Sequence, residues 1–327
     1  MEKTLKDRKV LVTGGAGFIG SNLVGALLKQ GSYVTCLDNF STGKRQNLTE
    51  YMPDPRFVLI EGDIRNYDDC RKAVSGIEIV FHEAALGSVP RSIKDPVTTT
   101  DVNIGGFVKM LFASHEAGVK RFIYAASSST YGDHPDLPKV EDIIGTPLSP
   151  YGITKYVNEL YGANFSKTYG IDVIGLRYFN VFGRRQDPEG AYAAVIPKFL
   201  KLLKNHESPV INGDGSYSRD FTYIDNVIQA NLLSALVDKK EALNQVYNVA
   251  FGERTNLNQL YEYIQKIAGK FDSEILKIPI IYGPERAGDI PHSLASIEKA
   301  KRLLGYSPTH SVSEGLDEAV KWFWDNL

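Results

Sequence analysis

Seven residues near the start, Gly14-Gly15-Ala16-Gly17-Phe18-Ile19-Gly20, constrain the fold of this 327-residue chain more than any others. They follow a short β-branched run, Lys9-Val10-Leu11-Val12-Thr13, and lead into a helical pattern over Ser21–Gln30, so the local order is strand, tight turn, helix. Gly14 permits the turn, Gly17 lets the backbone approach a pyrophosphate, and Gly20 allows close packing of helix on strand. The helix N-terminus, with Phe18 and Ile19, then faces the phosphates. A second strand, Tyr33-Val34-Thr35-Cys36-Leu37, ends in Asp38 at the spacing of a ribose-binding carboxylate. Its charge repels a 2′-phosphate, which predicts NAD rather than NADP; the bland alternative is a turn or capping aspartate. The loop Asn39-Phe40-Ser41-Thr42-Gly43-Lys44 either wraps the adenosine side or is a plain connection.

Strand and helix patterns then alternate. Strands are expected at Phe57–Ile60, Glu78–His82, Arg121–Ala126 and Asp172–Leu176, and helices near Asp68–Ser75, Val102–Ala117 and Gly152–Tyr169. That alternation predicts an α/β, doubly wound parallel sheet with ligands beyond the carboxyl ends of the strands. Three stretches fall at such ends. Asp63 and Ile64 are placed to meet the adenine edge, and Ala84 and Ala85 leave room for the cofactor; the serines Ser127-Ser128-Ser129 are either site residues or a polar exit from a strand. On the helix that follows, Tyr151 and Lys155 are four residues apart and so share one face. A cation beside the phenol favours the phenolate, giving a tyrosine that can take and return a proton near neutral pH. Alone, such a pair is more often an exposed couple on a solvated helix.

Composition excludes several classes. Lys plus Arg, 37, nearly equals Asp plus Glu, 39, which leaves no footprint for nucleic acid or an anionic membrane surface. With 43% hydrophobic residues the chain can bury a large core, and no run approaches the length of a membrane span. Cys36 and Cys70, the two cysteines, have no Cys-x-x-Cys spacing and no histidine cluster, so neither a disulfide framework nor a metal site is expected. The N-terminal residues lack a signal-peptide pattern, and a cytoplasmic location is expected. Lys198, Lys201 and Lys204 read as a solvated stripe on one helix face. From Arg177-Tyr178-Phe179-Asn180 onward the chain is expected to leave the sheet and return to it around 226–249.

Taken together, the glycine turn, Asp38, the Ser127 strand end, Tyr151-x-x-x-Lys155, Arg177-Tyr178-Phe179-Asn180 and the Arg286 region resemble the extended short-chain dehydrogenase/reductase family, in particular its nucleotide-sugar 4-epimerases. The strings Gly87-Ser88-Val89-Pro90-Arg91-Ser92 and Ser127 to Pro135 are similar to the bacterial subgroup that prefers N-acetylated UDP-hexosamines. The resemblance spans essentially the whole chain. It implies a Rossmann-like NAD-binding domain over residues 1–180, with a return near 226–250, and a smaller C-terminal α/β lobe for the UDP-sugar over 181–225 and 251–327.

The resemblance also implies roles. Tyr151 becomes the acid/base, Lys155 its cation and ribose anchor, and Ser127, with Ser129, a partner of the sugar O4; Tyr178 joins the cofactor contacts, and Ser88 and Ser128 the substrate contacts. Asn180, Arg219 and Arg286 hold the UDP pyrophosphate, Asp289 lies near the uridine ribose, and Val195 and Asn212 complete the substrate set. At Ser293 some relatives carry a bulky tyrosine, so the small residue here leaves space for an N-acetyl group. Ser128 and Ser129 stand where dehydratases keep acids, which disfavours elimination of water. A homodimer through the helices near Val102–Ala117 and Gly152–Tyr169 is expected. Two alternatives stay open: a 4-epimerase of the 6-carboxylated sugar, met by Arg91, and an NAD-sensing regulator without catalysis.

Overall fold

The computed structural model describes residues 4–188, 194–285 and 290–326. Six strands come first: β1 (Lys9–Thr13), β2 (Tyr33–Asp38), β3 (Phe57–Glu61), β4 (Ile79–His82), β5 (Arg121–Ser127) and β6 (Asp172–Tyr178). A seventh, Gln245–Val249, returns beside β6, and all seven run parallel in the spatial order seventh, β6, β5, β4, β1, β2, β3. The chain works outward from β1 in one direction and from β4 in the other. A crevice therefore opens at the carboxyl ends of that pair.

Helices α1 (Phe18–Lys29), α2 (Tyr67–Ala73), α3 (Val89–Lys94), α4 (Pro96–Thr100), α5 (Phe107–Glu116), α6 (Pro150–Tyr169), α7 (Val195–Lys204), α8 (Ile224–Leu236), α9 (Leu257–Ala268), α10 (Glu298–Leu304) and α11 (Val312–Asn326) complete the regular structure. Within β1, Val10 and Val12 join the apolar cluster of Leu23 and Leu27 from α1 and Val227 from α8, while Leu11 joins that of Met110 and Leu111 from α5 and Phe165 from α6. Successive side chains point to opposite faces, so both sides of the sheet are covered and the strands read as unbroken apolar runs. Cys36 and Cys70 are buried and free.

Two elements differ from expectation. The helix expected to start at Val102 starts earlier, as α4 and a π-turn over Asp101–Gly106 that brings Gly106 against Ile64. The sheet also keeps Arg177 and Tyr178, two residues beyond the predicted end of that strand. A buried arginine is tolerated there because its guanidinium meets Glu159 through two bonds, 2.8 and 2.7 Å, and donates to the Glu141 carbonyl at 2.9 Å.

Beyond β6 the chain builds short ribbons. Val181–Phe182 pairs with Thr222–Tyr223, Ser218–Arg219 with Thr255–Asn256, and Val210–Asn212 with Ile281–Gly283. These pack with α7, α9 and α11, whose Leu203, Leu260, Ile264 and Phe323 belong to the same apolar cluster as α1 and α8.

Candidate active site

The crevice at the ends of β1, β4, β5 and β6 is a cleft of about 470 Å³. Its floor is the glycine turn. Gly14 has φ +67°, and a Cβ there would meet the Ala84 nitrogen at 2.7 Å, so the turn and the strand end after β4 come together only because residue 14 has no side chain. α1 begins at once with Gly17 as its cap and no side chain bonded to its first N–H groups, which leaves them available to an anion. At the far end the Asp38 carboxylate accepts from Ala16 N and Phe40 N, both at 2.8 Å. The turn-forming and ligand-binding readings of Asp38 are thus compatible, because two backbone donors leave half its lone-pair sites open. Burial pushes its pKa up and those two bonds pull it down. Asn39 bridges Ser41 N, 3.0 Å, to Asp63, 2.8 Å, and Arg65 holds the Asp63 carboxyl down to about 2.

The predicted cofactor residues gather here with one exception. Gly14, Gly17, Phe18 and Ile19 line the floor, Asp38, Asn39, Ser41 and Thr42 one end, and Asp63 and Ile64 its edge. Ala84, Ala85, Lys155 and Tyr178 line the opposite wall with Tyr151. Gly43 is the exception: it faces Ala16 rather than the cleft, at a spot where a Cβ would come within 2.8 Å of the Ala16 methyl.

Helix α6 delivers the predicted pair, Tyr151 and Lys155. Ser149 caps it by accepting from Gly152 N at 3.1 Å, and Pro150 occupies its first turn, where the missing N–H costs nothing. The second residue, Tyr151, is fixed at its backbone: its N–H donates to the buried Ser92 hydroxyl on α3 at 3.0 Å. Lys155 donates to the Ala125 carbonyl at 2.6 Å, with its Nζ 5.9 Å from the centre of the Tyr151 ring. Burial lowers the Lys155 pKa to about 8. The sequence predicts a phenol lowered by this cation. In the structure burial instead pushes the Tyr151 pKa up, a hydrogen bond with Ser127 pulls it down, and the Glu83 charge pushes it up again. Desolvation outweighs the neighbours because the phenol is closed in by protein.

The substrate residues divide. Ser127, Ser128, Tyr151 and Asn180 line the same cleft. Asn180, at φ +36°, reaches back to the Asp220 carbonyl at 3.0 Å and the Ser293 hydroxyl at 3.4 Å, which places Ser293 beside it. Val195, Asn212 and Arg219 line an adjoining cavity of about 370 Å³ that shares Asn180 and Val181 with the cleft. Arg219 also donates to the Ser218 and Pro291 carbonyls at 3.0 and 3.1 Å. Ser129 and Ser88 are not among the lining residues. The carbonyl of Ser129 packs against Gly152, and the Ser88 hydroxyl caps α3 by accepting from Arg91 N at 3.2 Å. Arg286 and Asp289 lie outside the described residues.

Sequence reasoning missed Glu83, Ser92 and Asp220. Glu83 was signalled by one acidic residue at the end of the apolar run Ile79-Val80-Phe81-His82; for Ser92 and Asp220 the partners are 59 and 75 residues away in sequence, and no local pattern marks them. The fold also brings Asp225, His310 and Glu318 together, although no sequence spacing shows it. Arg184 holds Asp225 at 2.7 Å and the Tyr223 hydroxyl donates to Glu318 at 2.8 Å, so both carboxylates are already paired.

A cradle of glycines, an uncapped helix start and the Asp38 carboxylate around one cleft define a dinucleotide-binding enzyme. Residues 10–250 match the model of the NAD dependent epimerase/dehydratase family, and the chain belongs to that family. It is 38% identical, over 97% of its length and 99% of the relative's, to a putative UDP-glucose 4-epimerase of Methanocaldococcus jannaschii. Among solved structures it is similar to a UDP-N-acetylglucosamine 4-epimerase from Methanobrevibacter ruminantium in complex with UDP-N-acetylmuramic acid: 41% identity, TM-score 0.91, 98% of this chain and 100% of that one. A UDP-glucuronic acid 4-epimerase from Bacillus cereus in complex with UDP-glucuronic acid and NAD gives 33% identity and TM-score 0.87, covering 98% and 100%. The cofactor is NAD, which the cradle fits, and the relatives support 4-epimerisation of a UDP-sugar. Among the described residues no helix is long and apolar enough to cross a membrane.

Proposed function

We propose that the protein interconverts the C4 epimers of UDP-N-acetylhexosamines, UDP-GlcNAc and UDP-GalNAc, and also accepts UDP-glucose and UDP-galactose. The observation that carries the reaction type is the Tyr151 phenol, which lines the cleft with Ser127 and the buried Lys155. Bound NAD supplies the acceptor that takes and returns hydride at C4. Tyr151, as the phenolate, takes the O4 proton and becomes the phenol, then gives the proton back when hydride returns; Ser127 orients O4, and the Lys155 ammonium stabilises the phenolate before and after the cycle. The sugar must turn over between the two transfers, which requires firm contacts on the nucleotide and loose ones on the hexose. Asn180, Val195, Asn212 and Arg219 serve the nucleotide side, with Arg286 and Asp289 joining them, while Ser127 and Ser128 offer the sugar only small hydroxyls. For the acetylated substrate the support is Ser293, a small side chain held against Asn180, together with the likeness to the N-acetylglucosamine epimerase.

The uronate reading rests on Arg91, whose guanidinium makes no hydrogen bond or ion pair with the described residues although it is half-buried. Incubation with UDP-GlcNAc, UDP-glucose and UDP-N-acetylglucosaminuronate in parallel, followed by proton NMR, separates the readings. The galacto epimer of the acetylated hexose is the expected product. If the uronate turns over and the hexosamine does not, the substrate assignment is wrong.

The same reading includes a homodimer. Ile153, Val157 and Leu160 form a stripe along α6, with Ile153 and Leu160 half-exposed, and it continues to Ile93 of α3 and Val97 of α4, which are 64% and 77% exposed. An amphipathic helix with a second apolar face calls for a second copy. Light scattering should give twice the chain mass, and half of it for Leu160→Asp.

A further inference from the structure

Glu83 follows directly on β4, at the point where the apolar run reaches the cleft. It lines the cleft, and its carboxyl is held within the protein. Oε1 accepts from the Tyr178 hydroxyl at 2.8 Å, and that hydroxyl accepts from Asn231 of α8 at 2.8 Å. Oε2 is closed off from solvent and meets no donor. A buried carboxylate with an open oxygen is costly unless a cation lies nearby. Burial pushes its pKa up to about 7, and Tyr178 and Lys155 pull it down.

The groups facing Glu83 leave one cation to consider. From β4 itself, His82 is held neutral, its pKa pushed down to about 3, and its Nδ1 pairs with Thr13 at 2.9 Å. From β6 comes Tyr178, from α8 the uncharged Asn231, and from α6 Tyr151 and Lys155. Lys155 in turn has few partners: a buried ammonium has three donors, and among the described residues its one hydrogen bond goes to the Ala125 carbonyl. Two carboxylates reach it electrostatically, Glu83 and Glu159. Glu159 is committed to Arg177 through both oxygens.

We infer that Glu83 is a positioning residue for the Tyr151–Lys155 pair: its carboxylate, fixed by Tyr178 and Asn231, is the buried counter-charge that keeps Lys155 an ammonium within the cleft. The inference rests on the reading of Tyr151 as acid/base. Its negative charge raises the proton affinity of both neighbours, so removing it moves both ionisations toward acid.

The test reads Tyr151 without needing turnover. Tyrosinate absorbance, taken as the difference between the protein with bound NAD and its Tyr151→Phe counterpart, reports this phenol alone. Glu83→Gln keeps the acceptor for Tyr178 and removes the charge; the Tyr151 midpoint is expected about one pH unit lower, and the optimum of kcat/KM should follow it. Glu83→Asp, which keeps the charge, should stay near the wild-type midpoint. Tyr178→Phe, which weakens the ionised form of Glu83, should move it part of the way. An unmoved midpoint in a folded, NAD-retaining Glu83→Gln protein overturns the inference, as does an equal displacement in Glu83→Asp. If the wild-type protein epimerises no UDP-sugar, the proposed function fails, and the difference titration still decides the role of Glu83.

Discussion

The two sides of the cleft are built by different means. The cofactor side is made of contiguous backbone: residues 14–20 form the turn and the helix start, and Asp38 closes on that same turn through Ala16 N. The side proposed for the nucleotide-sugar is assembled from distant segments: Asp220 accepts from Phe251 N and Gly252 N, both at 3.2 Å, and from Ala295 N at 3.1 Å, while Asn180 ties residue 220 to Ser293. Close approach fixes the first, and long-range hydrogen bonds fix the second. Damage to the cofactor side should therefore cost fold and cofactor together, whereas damage to the other side should change substrate binding in an intact holoenzyme.

The largest expected effect falls where the sides meet. Tyr151→Phe should lose about a thousandfold in turnover or more, within the range that a positioned proton-transfer group supplies. NAD content and UDP affinity should stay near those of the parent, since only the phenolic oxygen is removed and the ring that lines the cleft stays in place. Surviving turnover would remove Tyr151 from the base position.

Next comes the cofactor side. A Cβ at Gly20 would meet the Gly14 carbonyl oxygen at 2.2 Å and Gly14 C and Gly15 Cα at 2.8 Å, all backbone atoms that cannot swing away. Gly20→Ala should cost about 3 kcal/mol in thermal or denaturant unfolding and release NAD on purification. A stable, NAD-loaded Gly20→Ala protein would break the comparison, because it would show the turn to be adaptable.

That contrast also explains what the sequence made legible. Gly14, Gly17, Gly20 and Asp38 act through local geometry, and a spacing of three or about twenty residues records it. The strand runs are equally plain because both faces of the sheet are buried. Gly43, Ser88 and Ser129 carry family roles by position, yet each is occupied locally, against Ala16, at the α3 cap and against Gly152. Glu83 and Asp220 go the other way: no spacing marks them, because their importance arises only when strands from different parts of the chain bring their partners close. The extension of β6 through Arg177 was hidden for the same reason, since Glu159, 18 residues away, is what makes a buried arginine acceptable.

On the substrate side, Ser293→Tyr should sharpen the comparison. The phenol would fill the space beside Asn180, so kcat/KM for UDP-GlcNAc should fall about a hundredfold relative to UDP-glucose, a discrimination typical of steric exclusion. Thermal stability and NAD retention should hold. Equal losses on both sugars would place the acetyl group elsewhere.

The smallest effect is the most specific. Asp220 is buried, and desolvation raises its pKa to about 7 while its three backbone donors pull it down. Those N–H groups bind the ionised form, so a proton added to the carboxyl weakens the clamp that joins the 251–252 loop to the 293–295 loop. The sign follows from a raised folded-state pKa: the clamp is complete above about 7 and loosens as pH falls through it. KM for the UDP-sugar should thus rise on the acid side in the parent protein. Asp220→Asn presents an amide donor to N–H donors at one position and should raise KM about tenfold, the equivalent of leaving one buried polar group unpaired, with little dependence on pH between 6 and 8. NAD affinity should not change, because among the described residues the Asp220 carboxyl bonds only the 251–252 and 295 backbone and not the glycine turn or Asp38. A tenfold KM increase accompanied by loss of NAD would mean that the two sides are one mechanical unit, and the distinction between backbone cradle and long-range clamp would have to be given up.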